Sequence, residues 1–149
     1  MIATYLDSSA LVRLCVGKGD LSSVEEAMGG LPITSVLATV EMPIAIEARY
    51  HRGQIGADER DELLQAADEI LTSVGKIGLS AMARREAVAV ARDRLLRALY
   101  AIHVGTAVVV NRHQQRRGNV LRFCTGDLRQ GEAAAACFGA DRVILLPPL

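Results

Sequence analysis

The sequence predicts an α/β fold in which a central parallel sheet of about five strands is covered by helices. Two observations support this prediction: short apolar runs typical of strands recur along the 149 residues, and helical patterns fill every interval between them. Strands that alternate with helices form parallel sheets, because each crossover helix returns the chain to the same edge. The predicted strands are residues 2–6, 31–34, 76–79, 120–125 and 142–146.

Capping signals place the helices between these strands. Asp20 and Ser35 are the predicted N-caps of the helices on either side of the second strand. Asp127 and Gln130 have the spacing of a capping box, and Gly139 is the predicted stop of the last helix. The predicted helices are residues 20–29, 35–52, 58–71, 80–94, 96–111 and 127–138.

Length and composition indicate one globular domain over residues 1–149. Lys plus Arg and Asp plus Glu both number 17, so no global positive field attracts nucleic acid and any polyanion site must be local. The three cysteines form no C-x-x-C pair and lie in apolar runs, which predicts buried reduced thiols in a cytoplasmic protein. No uncharged stretch is long enough to span a bilayer, so no membrane partner is expected.

Three acidic residues stand where a functional site is expected. Asp7 follows the first strand and Asp127 follows the fourth, and ligands of open parallel sheets bind outside the carboxyl ends of the strands. Either residue is alternatively a simple helix N-cap. Glu41 differs, because its helical neighbours three and four residues away are all apolar. A carboxylate on a core-facing side is costly unless it is paired or bound to a cation.

A cluster of these acids would require a counter-cation. Two carboxylates 4 Å apart repel each other by about 4 kcal/mol at an effective dielectric constant near 20. Mg²⁺ or Mn²⁺ is the predicted occupant, because these hard ions take oxygen ligands. Such a site activates a bound water and neutralises charge on a phosphodiester under attack.

Four segments follow one another in a recognisable order, and three of them contain these acids. They are Tyr-Leu-Asp-Ser-Ser-Ala-Leu-Val at 5–12, Thr-Ser at 34–35 followed by Glu41, Leu-Arg-Ala-Leu-Tyr-Ala-Ile-His at 96–103, and Phe-Cys-Thr-Gly-Asp at 123–127. With these motifs the chain resembles PIN domains, and more narrowly the VapC toxins of bacterial type II toxin–antitoxin systems. The resemblance covers nearly the whole chain and implies a three-layer α/β/α fold.

The resemblance also implies an activity. Its members are metal-dependent endoribonucleases, hydrolases of RNA phosphodiesters that a cognate VapB-like antitoxin neutralises, and they are usually homodimers. Four acids of the family bind Mg²⁺ or Mn²⁺. Carried over to this chain, three of them are Asp7, Glu41 and Asp127, as catalytic and metal-binding residues, and Ser9 is a supporting hydrogen-bonding residue.

Tyr100 stands where the family has its third acid. A phenol with an unperturbed pKa of about 10 is neutral at pH 7, so it adds no negative charge. His103 shares its helical face one turn later and is interpreted as a packed or supporting residue, with metal ligation as the alternative. Two functions stay open: the ribonuclease toxin, and a catalytically degenerate PIN domain that keeps antitoxin or RNA binding without cleavage. A phosphotransfer domain fits poorly, because Ser9 stands where a haloacid-dehalogenase-type phosphatase has its second Asp.

A basic segment at residues 112–117 is the weakest candidate. Arg112, Arg116 and Arg117 are predicted either to bind RNA phosphates or to form a solvated end of a helix, where cations are favourable.

Overall fold

A computed structural model of the chain describes residues 1–17 and 22–147. Its strands are β1 (Ile2–Leu6), β2 (Leu31–Ser35), β3 (Gly75–Ile77), β4 (Val120–Thr125) and β5 (Val143–Leu145). Its α-helices are α1 (Ser8–Val16), α2 (Ser22–Gly29), α3 (Ala38–His51), α4 (Ala57–Ser73), α5 (Ala81–Asp93), α6 (Ala98–Arg116) and α7 (Leu128–Phe138). No helix in the described part of the chain is both long enough and apolar enough to cross a membrane.

The strands form one sheet in the order β3-β2-β1-β4-β5, and every neighbouring pair is parallel. The predicted α/β class and the central parallel sheet are therefore confirmed. The central strand β1 pairs on both sides, with Tyr5 opposite Ile33 of β2 and Phe123 of β4. Because β1 and β4 are adjacent, their carboxyl ends place Asp7 and Asp127 at the same edge of the sheet.

Helices cover both faces of the sheet and produce the three predicted layers. Helices α1 to α4 pack on one face around a core that includes Leu6, Leu11, Met42 and Leu71. On the other face, α5, α6 and α7 pack around Tyr5, Val90, Val104, Phe123 and Ala133. The central strands β1 and β4 are buried on both faces over most of their length, which explains why their sequences are largely apolar rather than alternating.

Helix α6 lies unusually close to α5, and a glycine makes this possible. A Cβ atom added to Gly105 would lie 2.4 Å from the backbone nitrogen of Ala87, which no side chain tolerates. This contact fixes α6, which starts at the carboxyl edge of the sheet and contains both Tyr100 and His103.

Several predicted boundaries are wrong, each for a local reason. Ser35 is the last residue of β2, not the cap of α3, and its hydroxyl accepts a hydrogen bond from Leu37 N at 3.1 Å in the turn that precedes α3. Helix α6 continues to Arg116, past the predicted end at residue 111. Strand β3 covers 75–77 rather than 76–79, and β5 covers 143–145 rather than 142–146. The predicted cap Asp20 lies outside the described residues.

The prediction for the last helix is confirmed in part. Asp127 is the N-cap of α7 and accepts a hydrogen bond from Gln130 N at 2.9 Å. The return bond of a capping box does not form, because the Gln130 Oε1 atom is buried without a hydrogen-bond partner in the described structure. Gly139 follows the helix with a positive φ of 97°, as predicted for its stop.

The three cysteines are free thiols, as predicted, but they are not equally buried. Cys124 is buried in β4, whereas Cys15 is only half-buried. Cys137 is exposed, so the prediction of burial is wrong for this residue. It lies near the end of α7, on a turn that the rest of the fold leaves open to solvent.

Candidate active-site cavity

A cavity of about 750 Å³ lies at the carboxyl edge of the sheet, between the start of α1, helix α3, the start of α6 and the loop after β4. This is within the ordinary size range of small-molecule sites. Its polar lining consists of Ser8, Ser9, Arg13, Glu41, Arg97, Tyr100, Asp127 and Gln130. Its apolar walls are formed by Val12, Ile44, Ala45, Ala48, Ala98 and Leu99.

Asp7 lies beneath the floor of this cavity and is completely buried. Its Oδ1 atom accepts hydrogen bonds from Ser9 Oγ at 2.6 Å and from Ala10 N at 3.0 Å, and its Oδ2 atom accepts one from the Thr125 hydroxyl. Burial raises the pKa of Asp7, although the nearby His103 imidazole and these hydrogen bonds oppose that effect. Asp7 is therefore both the N-cap of α1 and a buried acid at the predicted site.

Ser9 connects Asp7 to the loop after β4. Its hydroxyl donates to Asp7 and accepts a hydrogen bond from Gly126 N at 2.8 Å, while the Thr125 hydroxyl lies 3.3 Å away. Because one short side chain joins α1 to the end of β4, the position of Asp7 is fixed by both elements. This is the supporting position that the sequence predicts for Ser9.

Glu41 reaches the cavity from α3 and is paired on both oxygens. Its Oε1 atom lies 2.6 Å from His103 Nε2, and its Oε2 atom accepts a hydrogen bond from Ser8 Oγ at 3.0 Å. The Glu41 side chain keeps 18% of its surface exposed, whereas that of His103 is entirely buried. The partner that a core-facing glutamate requires is therefore a histidine from α6.

The other ring nitrogen of His103 extends this series of hydrogen bonds into the core. His103 Nδ1 lies 2.9 Å from the Tyr5 hydroxyl. Burial raises the pKa of Tyr5 well above its ordinary value, and the charges of Asp7 and Glu41 add smaller increases. The phenol therefore keeps its proton. A phenol that donates to Nδ1 leaves the Nε2 proton of His103 to donate to Glu41. His103 is therefore packed between Tyr5 and Glu41, and its supporting role in a reaction stays a prediction.

Asp127 and Tyr100 face the same cavity. Asp127 uses Oδ1 to cap α7, and it lines the cavity from the loop after β4. Burial raises the pKa of Tyr100, and the negative charges of Asp127, Asp7 and Glu41 add to the increase, against the opposing charge of Arg97. Tyr100 therefore shares one cavity with Glu41 and Asp127, while Asp7 is buried, and Tyr100 is a neutral phenol at physiological pH.

The acids do not form a compact three-ligand cluster. Among residues 1–17 and 22–147, no group of three His, Cys, Asp or Glu side chains is arranged to hold a metal ion. Glu41 and Asp127 line the cavity, whereas Asp7 is completely buried behind Ser9. This donor set fits Mg²⁺, which proteins commonly hold through one or two carboxylates while water and substrate phosphate complete its shell.

The basic segment at the end of α6 is not part of this site. Arg112, Arg116 and Arg117 are exposed, and Arg112 Nη1 pairs with Glu86 Oε1 at 2.6 Å. Arg112 follows Tyr100 by twelve residues on one helix, a rise of about 18 Å. The weak prediction that these residues bind RNA is untested, but the structure keeps them away from the cavity.

Four polar residues of the cavity were not predicted as site residues: Ser8, Arg13, Arg97 and Gln130. Arg13 lines the cavity one helical turn after Ser9, and the i, i+4 spacing of these residues on α1 was a usable signal. Gln130 was interpreted only as part of a capping box, yet its side chain also lines the cavity.

Comparisons with known proteins bear on the fold. No protein-family model matches the chain, and no curated protein matches it. Among solved structures, the chain is similar to a protein described as "Toxin-antitoxin complex from Klebsiella pneumoniae", with a TM-score of 0.60 and 18% identity. The match covers 99% of this chain and 100% of the other. At this identity the likeness establishes a shared fold over essentially the whole chain.

Proposed function

We propose that this chain is the toxin of a toxin–antitoxin pair, a VapC-like PIN domain that hydrolyses RNA phosphodiesters with Mg²⁺ or Mn²⁺. The observation that carries the proposal is the gathering of Glu41, Asp127 and buried Asp7 around one cavity at the carboxyl edge of the sheet. The fold shared with a protein from a toxin–antitoxin complex supports the toxin assignment.

The metal ion would be held by Glu41 and Asp127, the two acids that line the cavity. When bound, such an ion polarises the phosphodiester and lowers the pKa of a coordinated water. Asp7 contributes negative charge from below, and the hydrogen bonds from Ser9 and Thr125 hold its carboxyl group in place.

The protein's own residues orient these acids before any ligand binds. The Nε2 proton of His103 and the Ser8 hydroxyl each hold one oxygen of Glu41, so this side chain does not have to be ordered on binding. Preorganised groups of this kind stabilise developing charge without reorganisation during the reaction.

The partner is proposed to be an antitoxin segment that covers the apolar side of the cavity. Ile44 and Leu99 line the cavity and are also exposed, and Val40 is exposed one turn before Ile44 on α3. Exposed apolar surface beside a site is typical of a region that binds a partner helix or strand. A homodimer remains an expectation from the resemblance.

A second candidate function is favoured by Tyr100. This residue replaces the family's third acid and lies in the cavity itself, so the site has one fewer anionic ligand. A degenerate PIN domain would keep antitoxin or RNA binding and would not cleave. The two functions differ in one observable, metal-dependent turnover of RNA.

Inducible expression tests the toxin assignment. We expect wild-type expression to arrest bacterial growth, with breakdown of cellular RNA detected before viability falls. Glu41→Gln should relieve both effects, whereas Glu59→Gln, which removes the same charge at an exposed position on α4, should not. Equal toxicity of wild type and Glu41→Gln would contradict the proposal.

A further inference from the structure

Arg13 is a buried arginine with an unused guanidinium group. The residue is only 5% exposed and lines the cavity. Among residues 1–17 and 22–147, its side chain has no hydrogen bond and no ion pair with a carboxylate. A guanidinium at the wall of a cavity, with no carboxylate partner, is free to bind an anion that enters the cavity.

The guanidinium lies near Gly126, at the loop that follows β4. Side chains on a helix lean back towards its N-terminus, and Arg13 reaches the turn that holds Ser9. A Cβ atom added to Gly126 would lie 3.9 Å from Arg13 Nη2 and 3.4 Å from Ser9 Oγ. The unpaired cation therefore lies beside the loop that carries Asp127.

Gln130 supplies a second unsatisfied group in the same cavity. It is 2% exposed, and its Oε1 atom has no hydrogen-bond partner in the described structure. Buried amide oxygens are almost always hydrogen-bonded, so this acceptor is an exception that a bound donor would explain. The cavity thus offers an unused cation and an unused acceptor to one ligand.

We propose that Arg13 binds a phosphate of single-stranded RNA inside this cavity, while Gln130 accepts a hydrogen bond from a hydroxyl or amine of the same nucleotide. The inference rests on the proposed function and adds two residues that bind the substrate. A guanidinium binds phosphate through two parallel hydrogen bonds, which gives orientation as well as affinity. Arg13 would position the strand relative to Glu41 and Asp127.

RNA fits these observations better than an acidic peptide does. One nucleotide carries an anionic phosphate and several hydrogen-bond donors in a single compact unit. The cavity presents a cation, the Arg13 guanidinium, and an acceptor, the Gln130 amide oxygen. Its volume of about 750 Å³ accommodates a nucleotide, whereas one carboxylate side chain would leave most of it filled by water. The apolar walls, which include Val12 and Ala45, can pack against the faces of a ribose and a base.

Binding of a fluorescein-labelled single-stranded RNA of mixed sequence, measured by anisotropy in EDTA, tests the inference without cleavage. We expect Arg13→Gln to raise the Kd about tenfold, and to reduce the slope of log Kd against log salt by about 0.7, the value for one phosphate contact on a single strand. Arg13→Lys should keep the salt slope but bind more weakly than wild type. Gln130→Leu should raise the Kd with no change in the salt slope.

Arg85→Gln is the matched control, because Arg85 is exposed on α5 and does not line the cavity. Its Kd and salt slope should equal those of wild type. Thermal melting excludes misfolding: Arg13→Gln should be at least as stable as wild type, since it removes an unpaired buried charge.

The outcomes separate this inference from the proposed function. Arg13-dependent RNA binding without any metal-dependent cleavage would support the inference and contradict the nuclease proposal. Equal RNA affinity of Arg13→Gln and Arg85→Gln would overturn the inference even if the protein cleaves RNA. A wild type that binds a polyglutamate peptide through Arg13, and binds no RNA, would also overturn it.

Discussion

Replacement of His103 by leucine tests the physical basis of the site most sharply. His103 is completely buried between two polar partners, Glu41 at 2.6 Å and the Tyr5 hydroxyl at 2.9 Å. Leucine is similar in size and fills the same space, so the substitution removes hydrogen bonds without creating a large cavity. Glu41 would keep only its bond to Ser8, and Tyr5 would lose its hydrogen bond to the imidazole.

The expected cost follows from these two contacts. A hydrogen bond to a charged group contributes about 1.5–3 kcal/mol, and the lower end applies because Glu41 is 18% exposed and regains some water. Removing the buried partner of the Tyr5 hydroxyl costs about 1–3 kcal/mol more. The sum is about 3 kcal/mol, which corresponds to a decrease of about 6–12 °C in Tm for a domain of this size.

Urea denaturation of wild type, His103→Leu, Glu41→Gln and the double variant measures this effect. We expect the double variant to be less destabilised than the sum of the single variants, by about 1–2 kcal/mol, because the two residues share one hydrogen bond. His113→Leu is the matched control, since it makes the same change at an exposed position of α6, and it should cost less than about 0.5 kcal/mol. Additive effects, or equal effects of His103→Leu and His113→Leu, would refute the assigned pairing.

Three further predictions follow from the same geometry. Tyr100→Asp should raise Mn²⁺-dependent RNA cleavage about a hundredfold by restoring an anionic group, while Tyr100→Phe should not; equal rates at saturating metal would contradict this. The pKa of Asp7 is higher in the folded state than in the unfolded state. The protonated Asp7 side chain therefore contributes its full stability at pH values below the unfolded pKa, and this contribution is lost as the pH rises through the folded pKa. In metal-free buffer, the Tm of Asp7→Asn should therefore increase relative to that of wild type as the pH rises above about 4, the ordinary pKa of an unfolded aspartate, and a difference that does not change with pH would contradict this. Burial raises the pKa of Cys124 to about 12, so maleimide should label exposed Cys137 in the native protein and Cys124 only after unfolding.

The fold was predictable because local patterns and tertiary structure agree. The strands lie in short, largely apolar runs, and the parallel sheet follows from the alternation of strands with helices. The errors lie at element ends, where tertiary contacts decide the boundary. Ser35 has the composition of a cap, but pairing of β2 with β3 extends the strand through it. Helix α6 passes residue 111 because the sequence contains no strong stop before Gly118.

The candidate site was only partly predictable. The three acids were recognisable from their positions after strands or on a core-facing side, and the structure places Glu41 and Asp127 in the cavity of Tyr100, with Asp7 buried behind Ser9. The identity of Glu41's partner was not recognisable, because the contact with His103 joins residues 62 apart in sequence. Arg13 was missed because an arginine near the end of a helix is ordinary in sequence, and its i, i+4 spacing from Ser9 places it on the face of the site without showing that it is buried.

Cleavage of a defined single-stranded RNA across a titration of Mn²⁺ tests the central claim most directly. The samples are wild type, Asp127→Asn and the matched control Asp68→Asn, which removes one exposed carboxylate from α4. The proposed function predicts metal-dependent cleavage by wild type and Asp68→Asn that EDTA abolishes, with a loss of at least about a hundredfold in Asp127→Asn. Cleavage that is independent of metal, or equal in all three proteins, would contradict it, and RNA binding without cleavage by wild type would support the degenerate PIN domain instead.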